Sequence, residues 1–239
     1  MNIEIKYQPS YSLAIIRLDR GEGITAEAGA MVSMSDGISI NTQMKGGLFG
    51  ALKRTVLGGE SLFFNQFTSE LPDGEITLAP TLPGDIMTTP VNGTIYLQSG
   101  SFLAATPEID IDTKWGGAKT FFGSEGLFLL KATGQGQLIA SSYGAIHKVN
   151  LMNRRFICDT GHVVAFSQGI DFDVRPVGGL KSTVLSGEGL VCEFRGQGDL
   201  WIQTRSTQAL LSWLIPRLPG RGREGGRGAG SMIGNLLRG

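Results

Sequence analysis

The chain has 239 residues, of which 41% are hydrophobic and 18% charged, and its 21 basic residues balance its 21 acidic ones. This length and composition allow a sizeable core in one large or two small domains. They exclude a largely disordered chain and a globally basic nucleic-acid-binding protein. Glycine accounts for 36 of the 239 residues, without the three-residue period of collagen, so we expect many tight turns.

The compartment is predicted from features that the sequence lacks. The first residues have neither the basic and apolar regions of a secretory signal nor the character of a transit peptide, so we expect a cytoplasmic protein. Residues 86–107 carry no charge, but Pro90, Asn92 and Gly93 make them a poor membrane helix. We expect Cys158 and Cys192 to act as small hydrophobic residues in a reducing environment.

Three internal repeats organise the sequence, and their origins are Gly29, Gly100 and Gly161. Apolar residues stand at the same four distances from each glycine: Ile24, Ile95 and Phe156; Ala26, Leu97 and Cys158; Ile38, Ile109 and Ile170; Ile40, Ile111 and Phe172. We predict one compact unit over 1–216, with repeats of about 1–85, 86–145 and 146–216.

The second half of each repeat begins at a Gly-Gly pair and carries one lysine and one glutamate at matching places. The simplest interpretation is facing charges that fix strand register and discourage edge-to-edge pairing. The alternative is a charged groove between modules for a small polar or anionic ligand. The candidate groove residues are Lys53, Glu60, Lys119, Glu125, Lys181, Glu188, Gln203 and Arg205.

In chain order, the local patterns predict short strands joined by turns. Asp73-Gly74 and Asn92-Gly93 are typical of hairpin turns, and we interpret the glycine pairs at 134–136 and 196–198 in the same way. Alternating apolar and acidic residues over 109–112 and 170–173 predict half-buried strands. The single predicted helix runs from Ser206 to Ile215, before Pro216. The class is therefore all-β, with at most a short C-terminal helix.

The order of motifs resembles the family named for altered inheritance of mitochondria, a mitochondrial biogenesis family. The motifs that carry this resemblance, over roughly residues 5–210, include Glu27-Ala-Gly-Ala-Met-Val-Ser-Met34, Gly58-Gly-Glu-Ser-Leu-Phe63, Ala79-Pro-Thr-Leu-Pro-Gly-Asp-Ile86 and Asp159-Thr-Gly-His-Val-Val-Ala-Phe166. The resemblance implies three β-modules with a fold akin to the tryptophan RNA-binding attenuation protein, a sandwich like the double-stranded β-helix. It also implies a homotrimeric ring, and it supplies no catalytic residue or cofactor.

Residues suited to catalysis or metal binding are few. His147 and His162 are the whole supply of imidazoles, and no nucleophile motif, metal-ligand spacing or phosphate loop is present in the sequence. We interpret Asp110, Asp112 and their counterparts in the third repeat as solvated strand faces. We therefore expect no enzyme, no metal and no cofactor.

The C-terminal residues 217–239 differ from the rest, with five arginines and a single glutamate among many glycines. Such composition cannot bury a core, so we predict a flexible tail, whose apolar end could dock on a protein or a membrane surface. The sequence as a whole favours a non-enzymatic oligomeric scaffold. A module that binds a small ligand or RNA is the alternative, although we do not expect nucleic acid, and a hydrolase or transferase is the least favoured class.

Overall fold

The fold consists almost entirely of antiparallel strands. In a computed structural model of the chain, residues 1–43, 64–112, 128–176 and 190–218 are described. The first module contains β1 (Asn2–Lys6), β2 (Leu13–Leu18), β3 (Gly23–Glu27), β4 (Met31–Met34), β5 (Ile38–Gln43), β6 (Phe64–Ser69) and β7 (Gly74–Leu78). The all-β prediction is confirmed.

The second and third modules repeat this order with longer strands. The second contains β8 (Ile86–Gln98), β9 (Phe102–Ala105), β10 (Ile109–Asp112) and β11 (Leu129–Ser141). The third contains β12 (Ile146–Met152), β13 (Phe156–Asp159), β14 (Val163–Ser167), β15 (Ile170–Pro176) and β16 (Leu190–Gln203). The single long strands β11 and β16 correspond to two consecutive strands of the first module, β6 and β7. Each long strand pairs with counterparts of the strands that β6 and β7 contact separately.

The same hydrogen-bonding scheme recurs in each module. In the third module, β16 pairs with β12 and β14 through its second half and with β13 and β15 through its first half. In the first module, β7 pairs with β2 and β4, and β6 pairs with β3 and β5. Each module is therefore a small sandwich of two sheets, which are connected by one long strand or, in the first module, by the consecutive strands β6 and β7.

Apolar residues at alternate strand positions fill these sandwiches, as their two-residue period requires. Ile109 and Ile111 are buried on β10 while Asp110 is exposed, which confirms the predicted half-buried strand. Most of the apolar positions shared by the three repeats are buried or half-buried, although Ile40 is 43% exposed. One core cluster contains Phe64, Leu97 and Trp201, so it draws on all three modules.

Adjacent modules are joined by sheet pairing. At the first junction β3 pairs with β9, where Ala26 is opposite Ala104. At the second junction β8 pairs with β14, where Leu97 is opposite Ala165. The buried carboxylate of Asp85 adds side-chain contacts across the first junction, since its Oδ1 accepts hydrogen bonds from the Ser12 hydroxyl and Gln8 Nε2, each at 3.1 Å.

Two predictions about turns are wrong. Asn92 and Gly93 lie inside β8, where they pair with Gln135 and Gly134 of β11, so both strands continue through the predicted hairpin. The glycines at 134–136 and 196–198 also lie inside strands. At Gly134 (φ +144°) a Cβ atom would collide with the carbonyl oxygen of Glu108, so glycine is required there for close backbone approach. A turn does precede Gly74, between β6 and β7, but these strands belong to different sheets and form no hairpin.

The predicted helix is confirmed as α1 (Thr207–Leu214), followed by a short 3-10 turn over Ile215–Arg217 that includes Pro216. The chain divides into two compact units, Met1–Gln208 and Ala209–Gly239. Within the second unit the guanidinium of Arg217 lies 4.8 Å from the ring centre of Trp213. Most of the predicted tail, from residue 219 onward, falls outside the described residues. In the part of the chain that is described, no helix has the length and apolarity of a membrane span.

Candidate functional site

Six of the eight candidate groove residues lie outside the described ranges: Lys53, Glu60, Lys119, Glu125, Lys181 and Glu188. They belong to the three segments between β5 and β6, between β10 and β11, and between β15 and β16. Their grouping into a groove stays a prediction.

The other two predicted groove residues lie at the end of β16 and just after it. Gln203 is buried, and its side-chain amide accepts a hydrogen bond from Tyr143 N and donates one to Gly161 O, each at 2.8 Å. Arg205 is exposed, and its Nη1 donates to the carbonyl oxygen of Thr204 at 3.1 Å. The Gln203 side chain thus connects the turn before β12 to the turn before β14. This role is structural.

The two histidines differ in their surroundings. His162 is half-buried, and its Nδ1 lies 2.7 Å from the carbonyl oxygen of Gln203, so the ring is fixed against the backbone. His147 is exposed on β12. Among the residues that the structure describes, no group of three or more His, Cys, Asp or Glu side chains is placed to hold a metal ion.

The two cysteines are buried, and they are opposite each other in the pairing of β13 with β16. Burial raises the pKa of the Cys158 thiol to about 12, and the nearby Asp159 carboxylate contributes in the same direction. Since the thiolate is the reactive form, Cys158 is a poor nucleophile near neutral pH. This agrees with its interpretation as a small hydrophobic residue.

A charged cluster that the sequence analysis missed lies on the third module. Glu193 is 5% exposed, and its carboxylate contacts three guanidinium groups: Arg155 at 2.6 Å, Arg175 at 2.8 Å and Arg195 at 2.5 Å. The hydrogen bond from Arg155 is the main cause that lowers the pKa of Glu193 to about 2. Glu193 therefore stays ionised near neutral pH, so it has no proton to donate as a general acid, and its low pKa makes it a weak general base. We call Glu193 and its three arginines the arginine cluster.

An open groove lies between the first and second modules, with a volume of about 890 Å³. Its walls include Gln66 and Thr68 of β6, Thr88 of β8 and Gln137 of β11. These four side chains are neutral and polar, and the carboxylates of Glu22 and Glu108 line the groove as well. This groove lies at a module junction but contains none of the predicted groove residues, so the charged groove of repeated lysines and glutamates stays a prediction.

Two strands end the row of modules, and each has a side without a partner strand in the described part of the chain. There, β4 pairs only with β7, and β13 pairs only with β16. Apolar side chains are exposed on both strands: Val32 is 58% exposed, Met34 40% and Ile157 47%. We call β4 and β13 the free strands.

Three β-modules joined in a row by sheet pairing define the class of protein: an all-β protein built by internal repetition. The family model described as mitochondrial biogenesis AIM24 matches residues 3–205, and the chain belongs to this family. An uncharacterized protein of Streptococcus pyogenes serotype M6 is 32% identical over 228 residues, which cover 92% of each chain. A crystal structure of a Streptococcus pyogenes protein superimposes with a TM-score of 0.74 at 31% identity, covering 91% of this chain and 99% of that one.

Proposed function

We propose that this protein is a non-enzymatic scaffold that assembles head to tail into a ring of three copies. The observation that carries the proposal is the position of the free strands. The strand β4 corresponds to β9 and β14, which pair with the preceding module, and β13 corresponds to β3 and β8, which pair with the following module. A second copy offers the missing partner to each free strand.

The two internal junctions specify how the copies would pair. At both junctions, the residue three positions before one module's repeat glycine is opposite the residue four positions after the next module's repeat glycine. These pairs are Ala26 with Ala104 and Leu97 with Ala165. The same rule between copies places Cys158 opposite Ser33 and Ile157 opposite Met34. Such pairing covers exposed apolar side chains and removes two open sheet edges, which are otherwise a liability for aggregation.

The contact is heterologous, because it joins two different surfaces of the chain. Contacts of this kind form a closed ring when the rotation between copies closes, and a filament when it does not. The number of three copies comes from the family resemblance, and it gives a ring of nine modules.

The absence of catalysis is part of the proposal. It is supported by Glu193, whose carboxylate is held by three arginines, and by Cys158, whose burial raises its pKa to about 12. A location in the cytoplasm and docking through residues 217–239 stay predictions.

Binding of a small polar ligand is a second candidate function, favoured by the groove of about 890 Å³ at the first junction. A volume of this size falls within the roughly 300–1,000 Å³ of small-molecule sites. Its polar lining differs from the mostly apolar lining of such sites, which is why we place this function second. The RNA-binding alternative has no comparable observation in its favour.

A native mass spectrum of protein purified without denaturation tests these functions together. We expect the mass of three bare chains. A monomer at micromolar protein concentration would contradict the scaffold. A trimer with one or more stoichiometric extra masses would support assembly and favour the groove as a ligand site.

A further inference from the structure

We propose that Asp36 of one copy binds Arg154 and Arg155 of the next copy, so that a charged contact confines the pairing of the free strands to chain ends. This inference rests on the proposed head-to-tail assembly and names the residues that make it specific. It follows from the internal junctions in three steps.

The first step is the geometry of the second junction. The backbone N of Gln168 donates to the carbonyl oxygen of Thr94 at 3.1 Å, which extends the pairing of β14 with β8. The side-chain oxygen of Gln168 lies 3.3 Å from the position that a Cβ atom at Gly93 would occupy. The side chain of residue 168 therefore lies directly over residue 93.

The second step transfers this contact along the repeat. Gln168 is seven residues after Gly161, and Gly93 is seven residues before Gly100. At the first junction, the residues at these positions, Pro107 and Glu22, line the same groove. Between two copies the corresponding residues are Asp36, seven after Gly29, and Arg154, seven before Gly161. The register of the internal junctions therefore places Asp36 opposite Arg155, and the contact of Gln168 with Gly93 places its side chain next to Arg154.

The third step is the distribution of charge. The positions equivalent to Arg155 in the first two modules are Gly23 and Thr94, which are uncharged. The positions equivalent to Arg195 are Thr68 and Thr133, which are also uncharged. Asp36 stands where the later modules have Pro107 and Gln168. These opposite charges are confined to the two surfaces that can meet only between copies. Both surfaces are accessible, since Asp36 and Arg154 are exposed and the Arg155 side chain is 52% exposed.

The arginine cluster favours this partner over a small free anion. Glu193 already occupies the centre of the cluster and contacts Arg155, Arg175 and Arg195. What is left for a partner is the outward side of Arg155 together with Arg154. A single carboxylate on a strand-to-strand turn suits that position, and complementary charge at an interface rim directs correct partner choice.

The test is a charge exchange measured as the oligomer dissociation constant at fixed salt. We expect Asp36→Arg, and separately Arg154→Asp, to weaken assembly by about tenfold or more, because each places like charges together. The double variant that carries both changes should recover part of the loss, because the exchanged pair attracts while Arg155 still repels the new guanidinium. Asp36→Asn should have a smaller effect, because an amide oxygen can still accept the 2.9 Å hydrogen bond from Gly37 N that stabilises the turn.

Two outcomes would overturn the contact. If Asp36→Arg assembles as tightly as the unchanged chain, or if the double variant is no better than the weaker single variant, Asp36 does not meet Arg154. Stabilisation of the unchanged chain by inorganic phosphate, lost in Arg154→Asp while Asp36→Arg still assembles, would instead assign the arginines to an anion site. Failure of the scaffold itself is distinguishable, because the unchanged chain would then be monomeric.

Discussion

Replacement of Met34 by lysine should convert the assembled protein to monomers. Met34 is on β4 and 40% exposed, and the register of the internal junctions places it opposite Ile157 of the next copy. A lysine there would put a charge against an apolar side chain at a sheet edge, which is a device that proteins use to block edge pairing. The measurement is light scattering after size-exclusion chromatography, over a range of protein concentrations.

The matched control is Ile40→Lys. Ile40 is 43% exposed on β5, and among the described residues β5 pairs only with β6. The strands equivalent to β5 in the other modules, β10 and β15, take no part in the module junctions. This variant should keep the oligomer. Equal dissociation by both variants, or by neither, would show that the free strand β4 is not the contact surface.

Replacement of Phe166 by alanine should cause the largest loss of stability of any single substitution considered. Phe166 is 1% exposed, and its ring lies 5.2 Å from the ring of Tyr96, 5.1 Å from Phe172 and 5.4 Å from Phe194. Its strand, β14, pairs with β8 and β16 and so joins two modules. We expect the free energy of unfolding to fall by about 3–5 kcal/mol, the usual cost of removing a buried phenyl group.

Denaturant unfolding at a fixed protein concentration measures this loss, since assembly also contributes to apparent stability. Phe172→Ala is the control, because Phe172 is in the same aromatic group but is only half-buried, and it should cost clearly less. A loss below about 1 kcal/mol for Phe166→Ala would mean that this aromatic group is not the centre of the third module's core.

The repeat made much of the fold predictable. Its glycines mark the turns before β4, β9 and β14, and the alternation of isoleucine with aspartate identified β10 and half of β15. The prediction failed where a local signal competed with long-range pairing. Asn92-Gly93 is a strong hairpin signal, yet β8 passes through it because β11 supplies a continuous partner over thirteen residues.

The candidate site was less predictable, for a physical reason. The arginine cluster requires three arginines to come together around Glu193: Arg155 just before β13, Arg175 on β15 and Arg195 on β16. Only the register of β13 and β15 against β16 brings them together, and a sequence without its register does not show it. The free strands were also hidden, because β4 and β13 look like their paired counterparts until the order of modules is known.

In the proposed assembly, β4 of one copy pairs with β13 of the next in the register of the internal junctions. The most direct test is a disulfide between copies that carry cysteines at positions 34 and 157, with the linked peptides identified by mass spectrometry. Directly opposed strand positions have Cβ atoms about 4.5–5.5 Å apart, close to what a disulfide needs. The native Cys158 should contribute little, because burial raises its pKa to about 12.

We expect oxidation to link copies of the variant Met34→Cys/Ile157→Cys into covalent trimers. The control, Met31→Cys/Ile157→Cys, moves one thiol about 10 Å along the strand and should not form this link. Efficient linkage of positions 34 and 157, without linkage of 31 and 157, would show that β4 and β13 pair in this register. Equal linkage in both variants, or none in either while the protein is trimeric, would contradict it.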